Sequence, residues 1–199
     1  MDRARVIGVT GQTGAGKSLI TGWLREAGCP AIDCDAFAKE VMDGDPACIG
    51  EIGAAFPGCV RDGVIDRGKL GPLVFSDPEK LAALNEIVNP RILRALKETI
   101  DGWPEGEMPL IVDGATLIET GAADLCGFLV AVTCSAAERI KRIVARDNIS
   151  ENQARNRVAS QREDRFYAAR ADWVIDNSAG PQAAKEAAGE ALRRWKERL

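Results

Sequence analysis

Residues 11–18 read GQTGAGKS, and this octet limits the possible folds more than any other stretch of the chain. It matches G-x-x-x-x-G-K-[ST] from Gly11 to Ser18. Glycines let successive backbone N–H groups converge on one anion. Lys17 adds positive charge for β- and γ-phosphates, and the Ser18 hydroxyl suits Mg2+. Such a cradle sits between a buried strand and a helix whose positive dipole end faces the phosphate. The flanks comply: RVIGVT at 5–10 is short, apolar and β-branched, and a helical pattern runs from Lys17 to about Ala27.

Further short apolar strands lie at Ala31–Ile32, in PLIVD (109–113), FLVAVTC (128–134) and DWVID (172–176). Between them the pattern is helical, as in an α/β parallel sheet flanked by helices. From Asp33 to about Phe56 a helix is expected, broken at Gly44–Pro46. GVIDR at 63–67 reads as a turn. In SDPE (76–79) Ser76 is the expected cap, with Glu79 closing a capping box, and Pro90 is expected to interrupt or kink the helix that follows. Ser135 with Glu138, and Ser150 with Gln153, predict two more boxes. The tail from Pro181 reads as an Ala-rich amphipathic helix. Residues 45–105 lack clear strands and are expected to form a helical subdomain.

Composition narrows the function. The 199 residues, 46% of them apolar, suit one domain of 1–199 with a smaller insert. A net charge of −4 disfavours a general nucleic-acid binder. Histidine is absent and no two of the six cysteines form C-x-x-C, which argues against a Cys/His zinc site and excludes histidine acid–base chemistry. The cysteines read as reduced thiols, and no run approaches the roughly 20 apolar residues of a membrane span, so a cytoplasmic protein is expected. The composition selects no protein partner. A D-x-x-G match at Asp124–Gly127 is weak, and without N-K-x-D a regulatory GTPase is disfavoured.

The next constellation is AIDCDAF at 31–37, with Asp33 and Asp35 one residue apart. In open parallel sheets, ligands lie beyond the carboxyl ends of the strands. Asp33 follows such an end, where a carboxylate can hydrogen-bond an acceptor hydroxyl and take its proton during phosphoryl transfer. Asp35 can hold metal-bound water, or can complement the dipole of the helix that begins there.

In SAAERIKRIVARD (135–147), Arg139, Arg142 and Arg146 fall within about 60° of one another on a helix, with Ile140, Ile143 and Val144 on another side. The expectation is an arginine stripe unused by the core, continued by Arg155, Arg157, Arg162 and Arg165. It would be either an ordinary solvated face or a set of mobile cations that closes over a transferring phosphoryl group. Asp147 could pair with a neighbouring arginine in either case.

Taken in order, GVTGQTGAGKS, IDCDAFAKEV, GVIDRGKLGPLVFSDPEKLAALNEIVNPRI, IVDGATLIETG, RIKRIVARDNISENQARNRVASQ and ADWVIDN make the chain resemble the dephospho-CoA kinase family over roughly residues 5–178. The resemblance implies a P-loop NTPase-type core with a helical substrate-binding subdomain (about 45–105) and a helical lid (about 139–165). The implied reaction moves phosphate from ATP, with Mg2+, to the ribose 3′-hydroxyl of dephospho-CoA, the last step of coenzyme A synthesis. Asp33 matches the acid at the acceptor hydroxyl, and Arg142 and Arg146 the lid arginines, which with Lys17 form the implied catalytic set. Gly14, Ala15, Gly16, Lys17, Ser18 and Leu19 match the ATP loop, and Asn177 a position bordering the adenine. Ser18 is the implied metal ligand, with Asp35 able to act through water. Arg157 and Gln161 match the helix after the lid arginines, and Glu119 a glutamate after the third long strand. Three departures stand out: Leu19 where threonine is frequent, Asn89 in place of histidine, and ATL at 115–117 in place of PLL. The alternatives are another small-molecule P-loop kinase, such as shikimate kinase, and a nucleotide-dependent regulator without turnover.

Overall fold

Val6–Gly11 forms strand β1, buried along its whole length. In the computed structural model, which describes residues 2–104 and 106–199, β1 lies at the centre of a five-stranded sheet. The octet connects it to helix α1 (Lys17–Glu26), which leads to the short strand β2 (Ala31–Asp33). Then come α2 (Cys34–Gly44), α3 (Pro46–Ala55), a hairpin of β3 (Val60–Arg61) and β4 (Val64–Ile65), α4 (Arg67–Phe75) and α5 (Pro78–Asp101). The chain continues with β5 (Leu110–Asp113), α6 (Leu117–Thr120), β6 (Phe128–Thr133), α7 (Ala136–Asp147), α8 (Glu151–Ala159) and α9 (Asp164–Ala168). It closes with β7 (Trp173–Asp176) and α10 (Pro181–Lys196).

The sheet order is β2-β5-β1-β6-β7, and every neighbouring pair is parallel. Parallel strands are covered on both faces, which is why β1, β5 and β6 are buried throughout. Ile7, Val9, Ile111, Phe128, Val130 and Ile175 build the core with Ile20 and Leu24 of α1. Ala184, Ala188 and Ala191 bring α10 close to this core, and Trp195 fills the remaining space. The Trp195 indole N–H donates to the Ala4 carbonyl at 2.7 Å, so its one polar atom is satisfied. Truncating it to alanine would cost about 3–5 kcal/mol.

The chain divides into two units, Met1–Asp33 with Pro104–Leu199, and Cys34–Trp103. The second has its own core of Met42, Cys48, Ile52, Phe56, Ile65, Leu70, Val74 and Val88. Arg91 on α5 ties it together, donating to Asp45 at 3.0 Å and to Glu51 at 2.7 Å. This unit starts at α2 rather than near residue 45, and residue 105, the expected end of the helical section, lies outside the described residues.

Local signals explain most boundaries. Asp45 caps α3 by accepting from the Ala47 and Cys48 amides, which produces the break expected at Gly44–Pro46. Ser150 and Gln153 close a reciprocal capping box on α8. Four expectations are corrected. Asp77, not Ser76, caps α5, because Pro78 takes the first helical position; the Ser76 hydroxyl instead donates to Leu73 at the end of α4. Pro90 does not interrupt α5: the packed face of Val88, Leu96 and Ile100 carries the helix past one missing N–H. Ser135 caps α7, but the Glu138 carboxylate turns to Lys141 at 2.7 Å instead of closing the box. The section read as strandless contains the β3–β4 hairpin, turned by Asp62 and Gly63 at φ 52° and 74°. Among the described residues no helix is long and apolar enough to cross a membrane.

Candidate active site

The octet becomes a loop whose shape depends on its glycines. Gly14 and Gly16 have φ of 81° and 98°. A Cβ on Gly16 would collide with the Asn177 amide, and one on Gly14 would sit 3.0 Å from the Arg139 carbonyl oxygen. No side chain caps α1 at Gly16, so the helix N-terminus is left to its backbone and to an incoming anion. Ser18 and Leu19, the second and third residues of α1, are exposed, and the Leu19 amide donates to the Gly16 carbonyl at 3.0 Å.

Lys17 does not stand alone. Its ammonium forms an ion pair with Asp113, the last residue of β5, which is 8% exposed. Asp113 is in turn the register partner of Asp33, the exposed last residue of β2. Because β2, β5 and β1 are consecutive in the sheet, Asp33, Asp113 and the loop line one carboxyl edge. Sequence reading did not include Asp113 in the site, although the terminal acid of PLIVD was the signal. Among the described residues no group of three or more His, Cys, Asp or Glu side chains could hold a metal. Mg2+ binds chiefly through phosphates and one or two protein oxygens, and the Ser18 hydroxyl and Asp113 carboxylate fit that donor set. Asp35 lies in the first turn of α2, in the second unit, where its charge complements the helix dipole.

The arginines do not form one exposed stripe. Arg139 is 3% exposed: its Nε donates to the Thr13 carbonyl at 3.0 Å and its Nη2 to Gln161 Oε1 at 2.6 Å. Burial pushes its guanidinium below the ordinary value. Helical periodicity puts the apolar side of α7 toward the core and the arginines away from it, and Arg139 departs from that pattern. The outer carbonyls of the loop supply a polar surface that an arginine can pack against. Arg142 reaches the same surface, donating to Ala15 at 3.2 Å, to Gly14 at 3.4 Å and to the Asn177 carbonyl at 3.0 Å. Asn177, 1% exposed, sends its amide to the Ala15 carbonyl at 2.8 Å, so this side chain supports the loop from behind.

Arg146 is exposed and bidentate to Asp147, at 2.7 and 3.0 Å, and Arg157 donates to the same carboxylate. The Arg146 hydrogen bond is the chief reason the Asp147 carboxyl falls to about 2, and it raises Arg146 in return. Tyr167 donates its hydroxyl to Glu119 at 3.3 Å. Burial first, and then the Glu119 charge, push the Tyr167 phenol up to about 12, so it remains a donor.

A sequence profile of the dephospho-CoA kinase family matches residues 5–182. The chain belongs to this family. A dephospho-CoA kinase from Oryza sativa subsp. japonica is 36% identical, covering 98% of this chain and 89% of the relative. A crystal structure from Thermus thermophilus superposes with a TM-score of 0.80 at 33% identity, over 95% of this chain and 96% of that one. Shikimate kinase from Acinetobacter baumannii, in complex with shikimate, superposes with a TM-score of 0.55 at 18% identity, over 98% and 94% of the two chains. That second likeness is one of fold. The end-to-end match to the dephospho-CoA kinase family decides between the two kinases weighed from the sequence.

Proposed function

We propose that this dephospho-CoA kinase family member transfers the γ-phosphoryl group of ATP to the ribose 3′-hydroxyl of dephospho-CoA, giving coenzyme A and ADP, with Asp33 as the acceptor-side base. The observation that carries this reading is the edge arrangement: the phosphate loop, Lys17–Asp113 and Asp33 on three consecutive strands. The loop amides and the α1 N-terminus receive the phosphates. Lys17 exchanges its Asp113 contact for a phosphate oxygen, and Ser18 and Asp113 are the residues that would hold Mg2+. When bound, Mg2+ neutralises charge across the β- and γ-phosphates.

Asp33 accepts a hydrogen bond from the acceptor hydroxyl and fixes its line of attack. As the new O–P bond forms and the bond from Pγ to the bridging oxygen breaks, the hydroxyl proton passes to the Asp33 carboxylate. The oxygen of ADP takes the displaced electron pair. Arg142 stabilises the loop in its working shape, and Arg146 is the exposed cation for the transferring group. The remaining parts of the coenzyme are assigned to the second unit, and the lid to α7 and α8. The proposed compartment is the cytoplasm, in keeping with the buried free thiols of Cys29, Cys48, Cys59 and Cys134.

The test offers dephospho-CoA, shikimate and adenosine separately with Mg2+ and ATP, and identifies products by mass and phosphate position. The expected result is one product, coenzyme A, phosphorylated at the ribose 3′ position. Phosphorylation of shikimate or adenosine instead would replace this reading.

A further inference from the structure

We propose that Arg139, with Gln161, is a positioning residue for the nucleotide: together they clamp the outer face of the phosphate loop at Thr13 and so set which loop amides face the phosphates. The inference rests on the nucleotide-binding reading above and deepens it.

All three polar atoms of Thr13 are engaged. Its carbonyl accepts from Arg139 Nε at 3.0 Å, its amide donates to Gln161 Oε1 at 3.1 Å, and its hydroxyl accepts from Gln161 Nε2 at 3.1 Å. Arg139 Nη2 closes the ring by donating to the same Gln161 oxygen at 2.6 Å. The adjacent residue is held too, because the Gln12 side-chain amide, 5% exposed overall, donates to the Arg162 carbonyl at 2.6 Å. Gln161 and Arg162 lie between α8 and α9, so this corner of the chain and the loop are fastened to each other at two consecutive residues.

The clamp acts through peptide geometry. In a trans peptide the C=O and the following N–H point in opposite directions. Holding the Thr13 carbonyl outward turns the Gly14 N–H toward the opposite face. Arg142 and Asn177 treat the Ala15 carbonyl in the same way, which turns the Gly16 N–H. The Thr13 amide is taken by Gln161 and the Ala15 amide by the Gln12 carbonyl at 3.1 Å, so neither is offered to the ligand. The cation behind the loop also polarises the peptides it touches and raises the positive potential at the anion site.

Stability alone is a poor reason for this arrangement. The two acceptors of the buried guanidinium, the Thr13 carbonyl and the Gln161 amide oxygen, are both neutral. A buried charge without an opposite charge in contact is unfavourable compared with a well-packed apolar side chain. A guanidinium gains its advantage when an anion arrives on the far side of the loop.

The test compares wild type with Arg139→Met, Arg139→Lys and Gln161→Leu. It measures affinity for ADP and for adenosine by calorimetry, steady-state constants with ATP and dephospho-CoA, and melting temperature. Adenosine lacks the phosphates and serves as the internal control. Arg139→Met and Gln161→Leu are expected to weaken ADP binding and raise KM for ATP by about tenfold, the loss of a charge-assisted hydrogen bond or its support. Adenosine affinity and KM for dephospho-CoA stay within about twofold by the same reasoning, since neither depends on loop phosphate contacts. Arg139→Lys recovers part of the ADP affinity. Equal losses for ADP and adenosine, or a lowered melting temperature with unchanged ADP affinity, would overturn the proposal. If Arg139→Met does not fold, Gln161→Leu decides by the same criteria. ADP affinity reads the clamp without turnover. A wild type that binds ADP but leaves dephospho-CoA unphosphorylated would therefore overturn the proposed function and not the clamp.

Discussion

Asp33 and Asp113 are register partners at the carboxyl ends of neighbouring parallel strands. Their surroundings differ. Asp113 is buried against the Lys17 ammonium, whereas Asp33 ends an edge strand and is exposed. Two carboxylates beside a phosphate site would repel it, but the lysine offsets one of them before ATP arrives. On the proposed reading the sheet separates two tasks, with Asp113 on the nucleotide side and Asp33 on the acceptor side.

Asp113→Asn is expected to raise the Mg2+ concentration needed for half-maximal turnover by roughly tenfold, the scale typical of lost metal-site support. A Mg2+ titration of kcat checks this. An unchanged midpoint would remove Asp113 from the metal side.

Lys17→Ala removes the one side-chain cation of the loop itself. ATP affinity should weaken, and kcat/KM for ATP should fall by about a hundredfold or more. Unaltered affinity and rate would contradict the phosphate-cradle assignment.

Arg142 and Arg146 should separate in kinetics. Arg142 holds three backbone carbonyls, at Gly14, Ala15 and Asn177, so Arg142→Ala should weaken ATP binding as well as turnover, each by about tenfold. Arg146 is exposed, and Arg146→Ala should lower kcat while leaving ATP affinity within about twofold. Equal behaviour of the two variants would contradict the distinction drawn from their contacts.

How much of this was legible beforehand follows the physics of each signal. The glycine loop, the apolar strands and the Ser150–Gln153 box are local patterns, and each appears where its residues placed it. That α5 continues through Pro90 was not legible, because the packing around it comes from residues distant in sequence, such as Ile52 and Phe56. The β3–β4 hairpin was missed because its strands are two residues each; the Asp62–Gly63 dipeptide was its only mark. The position of Asp33 at the end of a strand was legible from the apolar pair before it. The Asp113 partnership with Lys17 was not, since it depends on β5 entering the sheet between β2 and β1. Arg139 shows the sharpest limit: periodicity sorts side chains by polarity, and it cannot report that a neighbouring loop presents carbonyls to a buried face.

The Asp147 carboxyl, lowered to about 2 by Arg146 and Arg157, links stability to pH. Its folded value lies below the unfolded value of about 3.9, so its contribution is fully present above that value and is lost as pH falls toward 2. Melting temperatures of wild type and Asp147→Asn should therefore differ at pH 7 and converge near pH 2. A difference that persists unchanged at the acid end would contradict the ion-pair assignment.

The most direct measurement is a single-turnover reaction of Asp33→Asn with ATP, Mg2+ and dephospho-CoA, alongside its ATP dissociation constant. The expected result is a chemical step slowed by about a hundredfold or more, the range of a lost general base, with ATP affinity within about twofold of wild type. Transfer at the wild-type rate would contradict Asp33 as the residue that orients the acceptor and takes its proton.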